Sequence, residues 1–491
     1  MSHPFINGAA EAEQIKPLVE LKLKPQALSE IVKELASYHA IYRPLFRRSE
    51  QRAHALQYLQ GLLLPLERKS IEPMLLALAG ADSKAIRAMQ QFIGAGAWAD
   101  EPLLERHRQQ VSETLGEADG VLLLDGSDFR KQGNDSVGVK RQYCGELGKR
   151  ANCQAGVFLG YASGVGYTLL DRRLYLPKEW INSDAYAERR VRCGVPEEIE
   201  FKTKLELGWE MIQAVDEAAD LPYRWVVADE AFGRDTKLLD QLARLDGKHY
   251  FVEVPHDTRV WLQRPETIEP SYSGRGRKPS QRVLADDAPA AQTVSAIAER
   301  QRTSSWQRYT VKEGSQGPMV VEVIARRVYP VRDGLPADKP LWLVLRRHLL
   351  SGELKTYLCN APAKTPLAKL VELSAQRWPI ESCFRDGKQY LGMGDYEVRS
   401  WRGWRHHMTL CILAHHFLVQ LQVRLKKNAP ALTLPQVKLL LAYVLPRPVF
   451  EPEAILDILR YKQRRNHAAY RSHRKRRLRE LALFEAVAQC A

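Results

Sequence analysis

The spacing of apolar residues changes once along the first half of the chain. From residue 26 to residue 115, apolar side chains recur three and four positions apart, as at Leu28, Ile31, Leu35 and Tyr38. This periodicity predicts amphipathic helices. The same stretch carries many Arg and Lys side chains, so we predict a helical domain with a basic surface over residues 1–115.

Short apolar runs with β-branched and aromatic residues replace the helical pattern from residue 121. They alternate with two further helical segments. The predicted elements are strands at 121–125, 154–161 and 167–175, a helix at 201–219, a strand at 225–228, a helix at 235–245 and a strand at 249–254. This element order is that of the ribonuclease-H-like fold, in which the first and fourth strands are neighbours. We therefore predict an α/β protein with a ribonuclease-H-like core that begins at residues 116–258.

A loop rich in Pro, Ser, Gly and Arg interrupts this rhythm at about residues 264–290. Strand-like runs follow at 319–328, 341–346 and 355–358, which predicts a β-rich insertion over residues 259–364. Helical periodicity resumes at Leu367, so we assign residues 365–445 to the second part of the core. Residues 460–479 contain ten bases and no acid, and we expect residues 446–491 to form a basic helical tail.

The net charge and the cysteine content limit the classes of function that the chain can have. The 491 residues carry a formal net charge of +15, which favours polyanionic partners such as DNA. No apolar run reaches the roughly 18 residues of a spanning helix, and we expect no export signal from the N-terminal residues. The seven cysteines include no C-x-x-C motif, which is typical of reduced thiols. We expect a cytoplasmic, nucleoid-associated protein with no membrane partner.

Three acids lie where a metal-dependent phosphoryl-transfer site needs them. Asp125 and Asp229 each end an apolar strand, and neighbouring strands would bring them together at one edge of the sheet. Glu381 lies in the helical segment after the insertion. Carboxylate oxygens are the ligands that Mg²⁺ and Mn²⁺ prefer, and two such ions suit in-line displacement at a phosphate. A turn or surface role is the alternative for each acid alone.

Two bases accompany Glu381 at helical spacing. Arg377 lies four residues before it and Lys388 lies seven residues after it, so all three share one helical face. Pro379 fits the first turn of this helix, where its missing N–H costs nothing. An acid between two bases suits a site that binds a metal ion and a DNA phosphate together.

With these residues in place, the chain resembles the DDE-class insertion-sequence transposases of bacteria, in the group with a Tyr–Arg–Glu–Lys signature. Arg377, Glu381 and Lys388 match the pattern Y-x2-R-x3-E-x6-K, and Ser374 stands where the Tyr belongs. The resemblance covers roughly residues 30–425 and includes the segments 125–133, 136–143, 148–154, 174–177 and 228–233.

The resemblance implies a metal-dependent recombinase that cuts the ends of an element and joins the freed 3′-hydroxyls to target DNA. Asp125, Asp229 and Glu381 are then the ligands of two Mg²⁺ or Mn²⁺ ions. Arg377 and Lys388 are phosphate contacts, and the expected assembly is a homodimer on transposon-end DNA. An aromatic residue of the insertion would stack on a flipped base, and Trp261 and Trp306 are the candidates, with a core position as the alternative.

Further candidate DNA contacts are bases in the matching segments, the basic loop and the tail: Arg130, Lys131, Lys149, Arg275, Arg277, Lys278, Arg474 and Lys475. The helical domain is a candidate for DNA-end binding, and a solvated basic face is the alternative. Two other functions stay open at this point. One is a nuclease that only hydrolyses, and the other is a catalytically silent DNA-binding protein derived from a transposase.

Overall fold

The computed structural model describes residues 22–270, 282–314 and 317–490, without the side chains of 312–314 and 483–490. Within these residues, helices surround one large mixed sheet, and both share a hydrophobic core that extends from Ile31 to Leu445. The predicted α/β class is confirmed.

Amphipathic helices form the first part of the described chain, as the spacing of apolar residues predicts. Asp82 shows how one of them begins: its carboxylate accepts hydrogen bonds from the amides of Lys84 at 2.8 Å and Ala85 at 3.1 Å, which caps the first turn. The helices are α1 Pro25–Ser29, α2 Ile31–Tyr42, α3 Ser49–Leu63, α4 Ile71–Ala79, α5 Ser83–Gly94 and α6 Glu101–Leu115.

The middle of the chain supplies the strands that position the candidate site. They and their helices are β1 Val121–Arg130, β2 Lys140–Cys144, β3 Lys149–Ala162, β4 Tyr167–Tyr175, α7 Lys178–Asn182, α8 Ala187–Cys193, α9 Lys204–Ala218, β5 Trp225–Ala228, α10 Glu230–Gly233, α11 Thr236–Leu242 and β6 His249–Glu253. The sheet order is β4, β3, β1, β5, β6. Strands β1, β5 and β6 are parallel, whereas β3 is antiparallel to both β1 and β4. The predicted contact between the first and fourth strands of the core, β1 and β5, is confirmed.

The strands after β6 continue the same sheet. They are β7 Arg259–Trp261, β8 Thr267–Ile268, β9 Val283–Leu284, β10 Gln292–Thr293, β11 Gln307–Gly314, β12 Gly317–Arg332, β13 Leu335–Pro336, β14 Leu341–His348 and β15 Leu354–Cys359, with helix α12 Val294–Glu299 among them. Strand β15 pairs antiparallel with β6. The β-rich segment therefore extends the edge of the central sheet, and among the strands of the described residues only the small pair β8–β9 stands apart.

Helices complete the described chain: α13 Leu367–Leu373, α14 Trp378–Tyr390, α15 Trp401–Lys426, α16 Leu434–Val444 and α17 Pro452–Cys490. Helix α15 is long and apolar enough to cross a membrane by length and composition, contrary to the expectation from the sequence. Charged and polar residues interrupt the apolar sequence of this helix, so it contains no continuous apolar run of that length. Its apolar window is 78% buried inside the protein, which is typical of a core helix.

Candidate active site

Two acids lie at the same level on neighbouring parallel strands. Leu124 of β1 is the register partner of Ala228 of β5, and the next residues are Asp125 and Asp229. Adjacent strands are about 4.8 Å apart, so the two carboxylates start from neighbouring backbone positions. Side chains at this edge of parallel strands face the region where α/β proteins bind ligands.

Each aspartate is held by backbone amides. The Oδ1 atom of Asp125 accepts a hydrogen bond from the amide of Gly126 at 2.6 Å. Asp229 caps α10, and its Oδ1 accepts from the amides of Ala231 at 3.0 Å and Phe232 at 3.3 Å. These bonds fix the carboxylates before any ligand arrives.

A small residue lets α10 approach β6 closely beside Asp229. A Cβ atom on Gly233, the last residue of this short helix, would collide with the carbonyl oxygen of Glu253. The Gly at this position therefore keeps the capped turn against the strand.

Two carboxyl groups lie close together at this edge of the sheet, and burial raises the pKa of each. The pKa of Asp125 is raised to about 7, first by burial and then by the negative charge of Asp229, and Arg377 only partly opposes this rise. The pKa of Asp229 is raised as well, chiefly by burial, against the lowering effect of Arg377 and the two amides. Such a pocket favours a proton or a cation.

Glu381 is connected to this site by its ion pair with an arginine, Arg377. Arg377 immediately precedes α14, and its Nε and Nη2 atoms donate to Oε1 of Glu381 at 3.0 and 2.5 Å. Its Nη1 donates to Oε2 of Glu253 at 3.3 Å. Burial lowers the pKa of Arg377, but the attraction of Glu381 and Asp125 outweighs this effect and raises the pKa above its usual range.

Glu253 is a site residue that the sequence analysis missed. It ends β6, and its carboxylate also accepts from Nζ of Lys355 at 3.2 and 3.3 Å. The sequence contained a pattern that could have identified Glu253, since it follows an apolar run in the same way as Asp125 and Asp229 do. Three neighbouring parallel strands thus present acids at one edge of the sheet.

The three predicted metal ligands, Asp125, Asp229 and Glu381, are not gathered into one metal site in this structure. Across residues 22–270, 282–314 and 317–490, no three His, Cys, Asp or Glu side chains gather closely enough to hold a metal ion. Asp125 and Asp229 are neighbours, but Glu381 directs Oε1 at the guanidinium of Arg377.

Comparison with known families identifies the chain. A family profile described as DDE superfamily endonuclease matches residues 42–318. The chain belongs to the DDE superfamily endonucleases. The matched residues contain Asp125 and Asp229 but end before Glu381, so the proposed role of Glu381 depends on the spacing around it and on its contact with Arg377.

The individual proteins that resemble this DDE-family chain share a small part of its sequence. A probable transposase for insertion sequence element IS701 from Microchaete diplosiphon is 26% identical over 252 residues, covering 49% of this chain and 61% of that protein. The chain therefore spans less than two thirds of the length of that relative. The crystal structure of the NurA nuclease from Sulfolobus solfataricus aligns at 9% identity over 58% of this chain and 85% of that one. The TM-score of this alignment is 0.25.

Lys388 of the DDE-family chain lies over the end of β1. Its Nζ donates to the carbonyl of Asp128 at 2.9 Å and to Glu146 at 3.0 Å. The guanidinium of Arg130 also approaches Glu146, at 3.8 Å, and its side chain is 64% exposed. Lys388 therefore joins α14 to the turn after β2, while Arg130 stays accessible.

The other predicted DNA contacts differ in exposure. Lys131 is half-buried, with its Nζ 3.3 Å from the centre of the Tyr396 ring, and burial lowers the pKa of Lys131 to about 8. Its ammonium faces the protein interior rather than a DNA surface. Exposed positions are those of Lys149 on β3 and of Arg474 and Lys475 on α17, whereas Arg275, Arg277 and Lys278 lie outside the described residues.

Both base-stacking candidates are covered by protein. Trp261 is 5% exposed, and its indole N–H donates to the carbonyl of Pro289 at 2.7 Å. Trp306 is partly buried beneath the guanidinium of Arg347, which lies 4.5 Å from its ring. Trp261 therefore has the core position that was the alternative to base stacking, and Arg347 partly covers the ring of Trp306. A base-stacking role for either residue stays a prediction.

Ser374, at the signature Tyr position, is also inside the protein. It is 4% exposed, and its hydroxyl donates to the carbonyl of Val371 at 2.7 Å. Its own carbonyl accepts from Arg346 of β14 at 2.5 Å. Ser374 therefore connects the end of α13 to the extended sheet and presents no group to the candidate site.

Proposed function

We propose that this chain is a DNA transposase that cleaves insertion-sequence ends and joins the 3′-hydroxyls to target DNA. The observation that carries the proposal is the pair of acids at the same level of neighbouring parallel strands, Asp125 and Asp229, next to the Arg377–Glu381 ion pair. Family membership and the likeness to the IS701 protein support the same activity.

The strand order supports a ribonuclease-H-like core. Counting core strands along the chain, the order β4, β3, β1, β5, β6 is 3-2-1-4-5, with the first three antiparallel and the last two parallel to the first. The sequence predicted the order of these elements along the chain and the contact between the first and fourth strands. The core would continue in residues 365–445, with 259–364 as an insertion that widens the sheet and 1–115 and 446–491 as flanking DNA-binding parts.

The donor set fits divalent cations. Carboxylate oxygens suit Mg²⁺ and Mn²⁺, and the buried negative charge that raises the pKa of Asp125 is the kind that a cation offsets. Asp125, Asp229 and Glu381 would hold two ions, with Asp125 shared between them. When bound, such a pair activates the nucleophile and stabilises the leaving oxygen of the displacement.

Arg377 would change partners between the free and the DNA-bound enzyme. In the free protein its guanidinium neutralises Glu381 and Glu253. A scissile phosphate near the aspartates would offer it a second anion, and a bidentate contact of this kind orients a phosphate. Its release would free the carboxylate of Glu381 to join Asp125 and Asp229.

The proposed partners follow from the reaction. Transposon-end DNA and target DNA must both reach the site, and a homodimer on DNA would hold two ends together. Arg130, Lys149, Arg474 and Lys475 are exposed bases that would contact these DNAs. We place this activity in the cytoplasm, at the nucleoid.

The decisive test uses the purified full chain with Mg²⁺ and DNA carrying the ends that flank its reading frame. Wild-type protein should nick the ends and form joined products, and Asp229→Asn should abolish both. Asp246→Asn, at an exposed position, is the matched control and should remain active. Full activity of the Asp229 variant would refute the assignment.

A purely hydrolytic nuclease is the second candidate, because the matching family is described as an endonuclease family. Sequencing the product junctions separates the two activities, since a nuclease that only hydrolyses leaves no joined strands. DNA binding without cleavage under any divalent cation would instead identify a catalytically silent DNA-binding protein.

A further inference from the structure

The first residues of β3 and all of β2 form a two-stranded ribbon that projects beyond β1. Strand β1 ends with Arg130, whose partner on β3 is Cys153. Residues 149–152 of β3 continue past this point and pair with β2, in a register that places Tyr143 opposite Arg150. On the other side, the carbonyl of Asn152 accepts a hydrogen bond from the amide of Lys131, the residue after β1, at 3.0 Å. We call this segment, residues 140–153, the ribbon.

One face of the ribbon continues the face of the sheet that carries Asp125. Asp125 is the direct partner of Phe158 on β3, and directly opposed residues of antiparallel strands share a face. Side chains alternate along a strand, so Arg150, eight residues before Phe158, is on that face too. Tyr143 lies opposite Arg150, and Arg141 lies two residues before Tyr143, so both belong to the same face.

This ribbon face is exposed and basic. Tyr143 is 65% exposed, and its neighbours on this face, Arg150 opposite and Arg141 two residues earlier, are exposed as well. Among the described residues, neither arginine forms an ion pair with an acid, and Lys149 at the start of β3 does not either. A large exposed aromatic residue with two unneutralised arginines beside it is a surface that suits a phosphate backbone with accessible sugars and bases.

The turn of the ribbon is fastened to the candidate active site. Glu146 receives Nζ of Lys388 at 3.0 Å, and the amide of Gly145 donates to Oδ2 of Asp128 at 2.6 Å. Lys388 also holds the carbonyl of Asp128, three residues after Asp125. The glutamate helix, the aspartate strand and the ribbon turn are therefore connected by polar contacts, so the ribbon has a fixed position relative to the site.

We propose that the Arg141–Tyr143–Arg150 face binds the duplex DNA that flanks the scissile phosphate. The inference rests on the proposed function, because it takes the DNA cleaved at Asp125 to be the DNA held by the ribbon. The two arginines contact phosphates, and Tyr143 packs against the sugars or bases of the same duplex. A two-stranded ribbon also has the width that a major groove accepts.

The strand geometry gives the expected position of the contact. Eight residues of β3 separate Arg150 from the partner of Asp125, which at about 3.3 Å per residue is about 26 Å along the strand. At 3.4 Å per base pair this corresponds to about 8 base pairs of duplex. Tyr143 should therefore meet the DNA about 8 base pairs from the cleaved bond.

Photocrosslinking tests the position directly. Full-length protein with p-benzoylphenylalanine in place of Tyr143 is irradiated on end DNA, and the same residue in place of Tyr443, which is 79% exposed on α16, is the control. We expect crosslinks from position 143 centred about 8 base pairs from the cut. Absence of these crosslinks, or equal and scattered crosslinks from both positions, would overturn the inference.

Salt dependence tests the arginines. Each phosphate contact contributes about 0.9 to the slope of log K against log salt, so Arg141→Ala with Arg150→Ala should lower the slope by about 1.8. Arg244→Ala with Arg302→Ala removes the same charge from two other exposed positions and should leave the slope unchanged. Equal slopes for the two double variants would contradict the proposed contacts.

Two further measurements separate the possible failures. Tyr143→Phe should keep most of the end-DNA affinity and Tyr143→Ala should reduce it, without a change in melting temperature or in oligomeric mass. A smaller oligomeric mass for Tyr143→Ala than for the wild type would show that the ribbon is an interface between protein subunits, and this result would overturn the inference. If the wild type crosslinks to end DNA through position 143 but never cleaves it, the proposed function fails, and with it the position of the ribbon beside a scissile phosphate. If the wild type cleaves the ends without ribbon contacts, only the inference fails.

Discussion

Replacement of Asp125 by Asn should stabilise the metal-free protein at alkaline pH. The pKa of the Asp125 carboxyl is raised from 3.8 to about 7, first by burial and then by the charge of Asp229. Between these two pH values the folded chain binds more protons at this site than the unfolded chain does, so stability falls as the pH rises through the window. Asparagine keeps the oxygen that accepts from the amide of Gly126 and carries no charge.

The raised pKa fixes the size of the effect. A rise from 3.8 to about 7 corresponds to about 4 kcal/mol of lost stability once the folded carboxyl is ionised. The gain in free energy of unfolding for Asp125→Asn should therefore be small at pH 4 and approach about 4 kcal/mol at pH 8. Adding Mg²⁺ should stabilise the wild type at pH 8 and stabilise the variant less, because the cation binds the ionised carboxylate of the folded state.

Urea titrations followed by tryptophan fluorescence measure this difference in buffer with EDTA, at pH 4, 6 and 8. Asp246→Asn, an exposed substitution of the same kind, should show no gain at any pH. A gain for Asp125→Asn that is equal at pH 4 and pH 8 would show that charge burial is not its cause. A variant less stable than the wild type at pH 8 would refute the electrostatic account altogether.

Three other substitutions test packing and charge at and around the site. Arg377→Ala should lower the free energy of unfolding by more than the surface-pair control Arg234→Ala, which should cost about 0.5 kcal/mol or less. The variant loses the partner of Glu381 and one of the two bases that pair with the largely buried Glu253, and urea titration compares the two variants. Gly233→Ala should cost about 1–3 kcal/mol by collision with a strand carbonyl, whereas Gly94→Ala, which meets open space, should be neutral or stabilising, as thermal melting will show. Trp261→Ala should cost about 3–5 kcal/mol as a core truncation, and a variant with unchanged melting but weakened end-DNA binding would restore its base-stacking role.

Local sequence patterns were sufficient to predict the helices and strands that are specified by their own residues. The strand predicted at 225–228 has those bounds in the structure, and the helix predicted at 201–219 appears as Lys204–Ala218. Both have strong apolar periodicity and, for the helix, a Thr203 capping box at its start. The juxtaposition of Asp125 and Asp229 followed from this order, because parallel neighbours place their carboxyl ends at one edge.

Pairing between distant segments was not readable from those patterns. Strand β1 was predicted to end at Asp125 but extends to Arg130, because β3 supplies register partners as far as Cys153. The insertion was predicted to be β-rich, with no pairing partners given for its strands, and the structure pairs Tyr357 on β15 with Glu253 on β6. Hydrogen bonds between strands depend on which segments meet, and a local run of apolar residues does not encode its partner.

The sequence by itself determined the residue types of the site: acids at strand ends, and an acid between two bases at helical spacing. Only the tertiary structure decided how these charges are satisfied. It placed Arg377 between Glu381 and Glu253, turned the Lys131 ammonium over the Tyr396 ring, and buried Trp261 beneath a proline carbonyl. The physical reason is that burial and ion pairing depend on contacts among side chains far apart in the chain, whereas spacing reports only neighbours on one element.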